Sequence, residues 1–194
     1  MKYIILLSIP VFMSVLSFSQ QPINQLTKDE NGNDMLLGCC TREALNREPF
    51  AAWFNINYFN YKVDTSLIAS LKQNMQRKQF LLFMGTWCGD SKREVPRILK
   101  VLDYCGVRDE QVKIVMVSNA ENMYKQSPSH EEKGLNILRV PTLIVYENNT
   151  EINRLIEYPV ESLEKDLLKI LSRQLYKPNY AKAQPLTPVS SEVK

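Results

Sequence analysis

The run Phe80-Leu81-Leu82-Phe83-Met84-Gly85-Thr86-Trp87-Cys88-Gly89-Asp90-Ser91-Lys92 decides how this chain is read. Phe80 to Met84 is a short, unbroken apolar stretch, the pattern of a strand buried on both faces. From Cys88 the pattern changes: Val95, Ile98, Leu99 and Leu102 recur at helical spacing up to Tyr104, and Gly106 supplies the stop. Pro96, early in this helix, predicts a kink. A cysteine at a strand-to-helix junction sits beside unpaired backbone N–H groups and the positive end of a helix dipole. Both favour the thiolate, the reactive form of the thiol. Lys92 and Arg93 add positive potential there, and Asp90 opposes them.

Outward from this junction, strands and helices alternate. Asp64-Thr65-Ser66 caps a helix running to about Arg77, and Val112 to Val117 reads as the next strand. Asn119 to Asn136 is polar and predicts a short helix after Pro128. Thr142 to Glu147 and Glu151 to Ile156 form a hairpin about Asn148-Asn149. Ser162 to Leu175 is an amphipathic helix with Leu163, Leu167, Ile170 and Leu171 on one face. Upstream, Gln20 to Leu26 reads as a linker, and Lys28 to Asp34, with Asn31-Gly32, as a turn. Thr41 to Tyr61 has helical period. Its stripe of Phe50, Trp53, Phe54, Asn57, Tyr58 and Tyr61 reads as core, with Pro49 opening a second short helix. The expected architecture is α/β: a central mixed sheet covered by helices on both faces, preceded by an N-terminal helical extension.

Trp87-Cys88-Gly89-Asp90-Ser91-Lys92, followed 53 residues after the cysteine by Pro141 in Arg139-Val140-Pro141-Thr142-Leu143-Ile144-Val145-Tyr146, resembles the thioredoxin superfamily, in particular its exported bacterial members. The resemblance covers roughly residues 66–176 and implies a thioredoxin-like fold. It further implies that Pro141 is a cis-proline opening a strand that faces Cys88. A substrate groove would form from Trp87, Cys88, Val140, Pro141 and Thr142. The departures are informative. Ser91 stands where the family carries a second cysteine, and Leu82 where it carries a buried aspartate six residues before the nucleophile. Serine cannot expel a product from a mixed disulfide, although its hydroxyl can hydrogen-bond a thiolate. The resemblance therefore implies a monothiol mechanism on Cys88, exchanging with protein or small-molecule thiols and disulfides. The alternative is a catalytically weak binding module that uses the same groove.

Length and composition fit one domain with extensions: 194 residues, net charge +3, with charges of both signs interspersed. No basic stripe points to nucleic acid. Lys2, the apolar Tyr3 to Leu16 and the small residues Ser17 and Ser19 read as a signal peptide over 1–19, so the expected location is periplasmic or secreted, with no stable membrane insertion of the mature chain. An N-terminal extension (20–65), a thioredoxin-like domain (66–176) and a flexible tail (177–194) follow. Four cysteines remain: Cys39, Cys40, Cys88 and Cys105. Cys105 is too far along the helix to bridge Cys88, roughly 25 Å away. Cys39 and Cys40 lie in a segment free to cross the site, though the plainer reading has one buried and one exposed. A metal site from Cys39, Cys40, Cys88 and His130 has no ligand spacing behind it, so neither metal nor cofactor is expected.

Overall fold

The structure, a computed structural model, describes residues 23–181. The signal-peptide reading of 1–19 and the end of the tail lie outside them. Six strands form one mixed sheet: β1 (Gln25–Lys28), β2 (Asp34–Cys40), β3 (Lys78–Met84), β4 (Val112–Met116), β5 (Thr142–Glu147) and β6 (Thr150–Ile156), in the order β1-β2-β4-β3-β5-β6. β3 and β4 are parallel, and every other neighbouring pair is antiparallel. The helices are α1 (Arg42–Leu45), α2 (Ala51–Asn60), α3 (Ile68–Asn74), α4 (Gly89–Tyr104) and α5 (Leu163–Leu171).

Local chemistry accounts for the element ends. Asp64 accepts from Ser66 N–H at 3.1 Å and starts the turn leading into α3, which ends at Asn74, short of Arg77. Ser162 caps α5 by accepting from Lys165 N–H. α4 stops at Gly106, whose φ of +75° suits a residue without Cβ. Asn148 and Asn149 both adopt positive φ, the backbone of a two-residue hairpin turn between β5 and β6.

Alternation along the strands divides the core in two. Phe80, Leu82 and Met84 of β3, with Ile114, Met116, Leu143 and Val145, belong to a large cluster to which all five helices contribute buried side chains. Phe83, Val115, Val117, Val140 and Ile144 form a smaller cluster on the opposite face, joined by Leu135 and Ile137 of the 118–141 connection. The helices expected on both faces therefore gather on one. The helix expected after Pro128 is absent. Ser127 instead bonds the carboxylates of Glu131 and Glu132 at 2.7 and 2.5 Å, and His130 and Gly134 take positive φ, so the connection crosses the second face as turns.

The N-terminal extension also differs. It supplies two strands, not helices alone: Gln25–Lys28 is β1, not linker, and β2 pairs with β4 through Gly38–Met116, Cys39–Val115 and Cys40–Ile114. The Lys28–Asp34 turn is as expected, closed by Asp29 accepting from Asn31 and Asn33 N–H at 2.9 and 2.8 Å. The aromatic stripe does pack inward: Phe50 and Phe54 are buried, and Trp53, Tyr58 and Tyr61 pack against the large cluster. The tail begins later than expected, because Asn179 Nδ2 donates to Tyr158 O at 2.8 Å and Arg139 lies over the Tyr180 ring. Among the described residues no helix is long and apolar enough to cross a membrane.

Candidate active site

Cys88 occupies the N-cap of α4, with extended backbone (φ −85°, ψ 124°) and no side-chain cap bond. β3 delivers it through Gly85 and Thr86. Cys88 N–H donates to Gly85 O at 3.0 Å, and Lys92 N–H donates to Cys88 O at 3.0 Å, closing the first helical turn. The side chain is half-buried and its thiol donates to Val140 O at 3.3 Å. The Val140–Pro141 bond is cis, and Pro141 O accepts from Glu157 N–H at 2.7 Å.

Trp87 walls one side. Its Nε1–H donates to Val117 O at 2.8 Å, and its ring centroid lies 5.9 Å from that of Tyr124. The indole lies so close over Gly85 that a Cβ there would meet Cε2 and Nε1 at 2.5 Å. Only glycine lets strand and indole approach this way.

Charge around the cysteine is locally paired. Arg93 bonds Asp90 at 2.7 Å and Glu94 at 2.6 Å, and Arg97 bonds Glu94 at 3.2 Å. Glu94, 3% exposed, is thus a buried carboxylate with two guanidinium partners, which the sequence pattern did not single out. Its signal was present: Glu94 falls among the apolar positions of α4 with arginines on either side. Lys92 makes no side-chain hydrogen bond or close ion pair among the described residues, but its charge is one of the influences that lower the pKa of Asp29.

Ser91 is fully buried, and its Oγ accepts from Gly85 N–H at 3.3 Å. The bond the structure gives it ties α4 to the end of β3, not to the Cys88 sulfur. Thr142, expected to line a substrate groove, is 1% exposed and its hydroxyl donates to Arg139 O at 2.7 Å. It also sits mid-sheet, opposite Phe83 and Ile156. Val140 is 3% exposed. Val140 meets the sulfur through its carbonyl oxygen, and neither residue offers much surface to a ligand. Leu82 is fully buried within the large cluster, so the strand position six residues before Cys88 is occupied by an apolar side chain.

All four cysteines are thiols. Cys39 packs at the edge of the small cluster that includes Cys88, and its thiol donates to Glu131 Oε1 at 3.0 Å. Burial and this carboxylate both raise its pKa. Burial pushes Cys40 up to about 12 and Cys105 up to about 11. Among the described residues no three His, Cys, Asp or Glu side chains form a group suited to a metal ion.

The fold and site define an α/β protein with a half-buried thiol at a strand–helix junction. No protein-family model matches the chain, and no curated protein sequence does. A protein of unknown function from Pseudomonas aeruginosa is similar in structure at TM-score 0.45, with 14% identity over 63% of this chain and 81% of its own. An HIV epitope-scaffold protein is similar at TM-score 0.42, with 16% identity over 64% of this chain and 83% of its own.

Proposed function

We propose that the chain is an exported, thioredoxin-like protein that exchanges thiols and disulfides through Cys88 alone. The observation that carries this reading is the placement of Cys88: half-buried, at the uncapped N-terminus of a long helix. The first-turn N–H groups and the helix dipole supply positive potential where a thiolate forms. The β3-α4-β4 unit followed by the β5-β6 hairpin and α5 supports the thioredoxin-like assignment.

In the first step the Cys88 thiolate attacks one sulfur of a partner disulfide. The Cys88–sulfur bond forms, the partner's S–S bond breaks, and the departing thiolate takes a proton from water. In the second, a small external thiol loses its proton to water and attacks the mixed disulfide. A new external disulfide forms and the Cys88 thiolate is released. Leu82 leaves no carboxylate beneath the sulfur, so both protons travel through solvent. Trp87 shields one flank of the mixed disulfide. The burial of Leu82 and the engagement of Ser91 with Gly85 favour a second reading, a binding module without turnover.

Non-reducing gels separate the two. Wild type mixed with a model disulfide accumulates a covalent adduct on Cys88, which a small thiol releases. Ser91→Cys places a resolving thiol one turn along α4, and the adduct becomes short-lived because the internal attack has a high effective concentration. Absence of adduct in both proteins, with Cys88 alkylatable, leaves the binding module.

A further inference from the structure

After α5 the chain follows the edge strand β6 as an irregular segment, residues 174–181. It is pinned on the way. Asn153 Nδ2 donates to Tyr176 O at 3.1 Å, and Asn179 Nδ2 donates to Ile156 O at 3.4 Å and to Tyr158 O at 2.8 Å. Tyr180 then makes two contacts that converge on the site. Its ring lies under the Arg139 guanidinium, with 5.1 Å between ring centroid and Cζ. Its hydroxyl donates to Glu157 Oε2, and Glu157 N–H donates to Pro141 O at 2.7 Å. Arg139 and Pro141 flank Val140, whose carbonyl accepts from the Cys88 thiol at 3.3 Å. One side chain thus bears on both neighbours of the residue that holds the sulfur.

The 139–141 loop is held from within by the buried Val140 side chain and by Thr142 Oγ1, which donates to Arg139 O at 2.7 Å. Lys125 Nζ donates to Leu138 O at 2.6 Å just before it. Tyr180 closes the same loop from the exposed side. The closure carries backbone strain: Tyr180 and Glu157 take φ of +63° and +66°, a region that bulky side chains rarely enter. Strain of this kind persists where the surroundings enforce it, and it gathers at sites where placement matters. The bond to Glu157 pushes the Tyr180 hydroxyl up to about 12, so it stays a donor at neutral pH. The bond from Cys88 to Val140 O is one that a thiol makes and a thiolate cannot. The sulfur must leave it before it attacks.

We propose that Tyr180 is a positioning residue for Cys88: it clamps the 139–141 loop, keeps the Val140 carbonyl on the thiol, and so restrains the release of the thiol as a nucleophile. The segment after α5 then sets the pace of Cys88 chemistry through Arg139 and Glu157. The inference deepens the exchange reading and rests on it for naming Cys88 the working thiol.

Brief iodoacetamide treatment of the folded protein, with each cysteine quantified by mass spectrometry, measures the clamp. Tyr180→Ala removes both contacts, and Cys88 labels roughly fivefold faster, the worth of one neutral hydrogen bond. Tyr180→Phe keeps the ring under Arg139 and labels closer to wild type. Tyr180 is exposed and outside both apolar clusters, so its removal opens no core cavity. Cys39 and the buried Cys105 gauge general loosening, and their rates stay as in wild type. An unchanged or slower Cys88 rate in Tyr180→Ala overturns the proposal, and so does equal acceleration of Cys39 and Cys105. A neutral small disulfide runs in parallel. Adduct on Cys88 with alkylation indifferent to Tyr180→Ala refutes the clamp and spares the exchange reading. Alkylation that answers to Tyr180 without adduct in any protein supports the clamp and removes the exchange reading.

Discussion

The two faces of the sheet hold two cysteines each, in opposite circumstances. Cys40 and Cys105 lie in the helix-covered cluster, both buried, with burial pushing their thiols up to about 12 and about 11. Cys39 and Cys88 lie at the edge of the loop-covered cluster, both half-buried, with sulfurs hydrogen-bonded to Glu131 and to Val140 O. The difference follows from what covers each face. Helices pack aliphatic side chains against the sheet and exclude water. The 118–141 connection crosses the other face as turns, carrying polar groups and leaving sulfur within reach of solvent. Dense packing and solvent-reachable sulfur are thereby separated, and the separation can be tested from both sides.

The largest expected effect is on the helix side. Leu102 is 1% exposed within the large cluster, and Leu102→Ala should lower the unfolding free energy by about 3 kcal/mol in urea titration. The rate of Cys88 adduct formation, measured in native buffer, should stay the same. A changed rate at unchanged structure would mean that the two faces are coupled.

Next comes Gly85→Ala, at the seam between the faces. The new Cβ would meet the Trp87 ring at 2.5 Å, forcing the indole off Val117 O. The expected cost is about 2 kcal/mol, with a shift in tryptophan fluorescence and altered alkylation of Cys88. Gly89→Ala is the contrast. A Cβ there meets nothing within 4 Å, and the helical position should gain about 0.4–1 kcal/mol from a less flexible unfolded chain. Equal losses at Gly85 and Gly89 would show that the Trp87 contact has no bearing on the site.

The seam also marks where the sequence stops being legible. β3, α4, β4, the β5-β6 hairpin and α5 could be read because each carries its own period and its own end signals. Gly106, Ser162 and Asn148-Asn149 act locally. β2 could not. Asp34–Cys40 takes a positive φ at Gly38 and finds its partner in β4, far along the chain, so nothing local marks it as a strand. The side on which helices lie is equally hidden, because a helical stripe records that one face is apolar and not which side of the sheet it meets. At the site, Cys88 was readable from its junction, and Trp87 only from the resemblance its neighbours carry. The burial of Thr142 and Ser91 was not, since both are polar residues whose hydroxyls are used by nearby backbone.

A smaller effect separates the faces by pH. Cys40 and Cys105 are raised in the folded protein from an ordinary 9.0, so the folded state disfavours their thiolates. Their contribution to stability is complete below pH 9.0 and is lost as pH rises through about 11 and about 12. Tyr58, raised to about 12 by burial and by Asp103, adds to the same slope. The urea midpoint should therefore fall above pH 9.0. Replacing both Cys40 and Cys105 with alanine should flatten that fall without abolishing it. An unchanged slope in the double variant would assign the alkaline loss to other groups raised in the fold, Cys39 and Tyr58 among them.

The smallest expected effect lies wholly on the loop side and asks whether its two cysteines act together. Burial raises the Cys39 thiol first, and the bond to Glu131 raises it further. Glu131 is in turn held by the fully buried Ser127, so its carboxylate stays aimed at Cys39. Glu131→Gln removes the charge and keeps the shape. The Cys39 thiolate should then form more readily, and brief iodoacetamide treatment followed by mass spectrometry should show a few-fold faster labelling of Cys39. Cys88 has its own partner in Val140 O and should label as before. If Cys88 also speeds up, the carboxylate acts on both sulfurs through the shared cluster, and the face is one electrostatic unit. If neither cysteine changes, burial alone governs Cys39, and the Glu131 bond is a matter of packing.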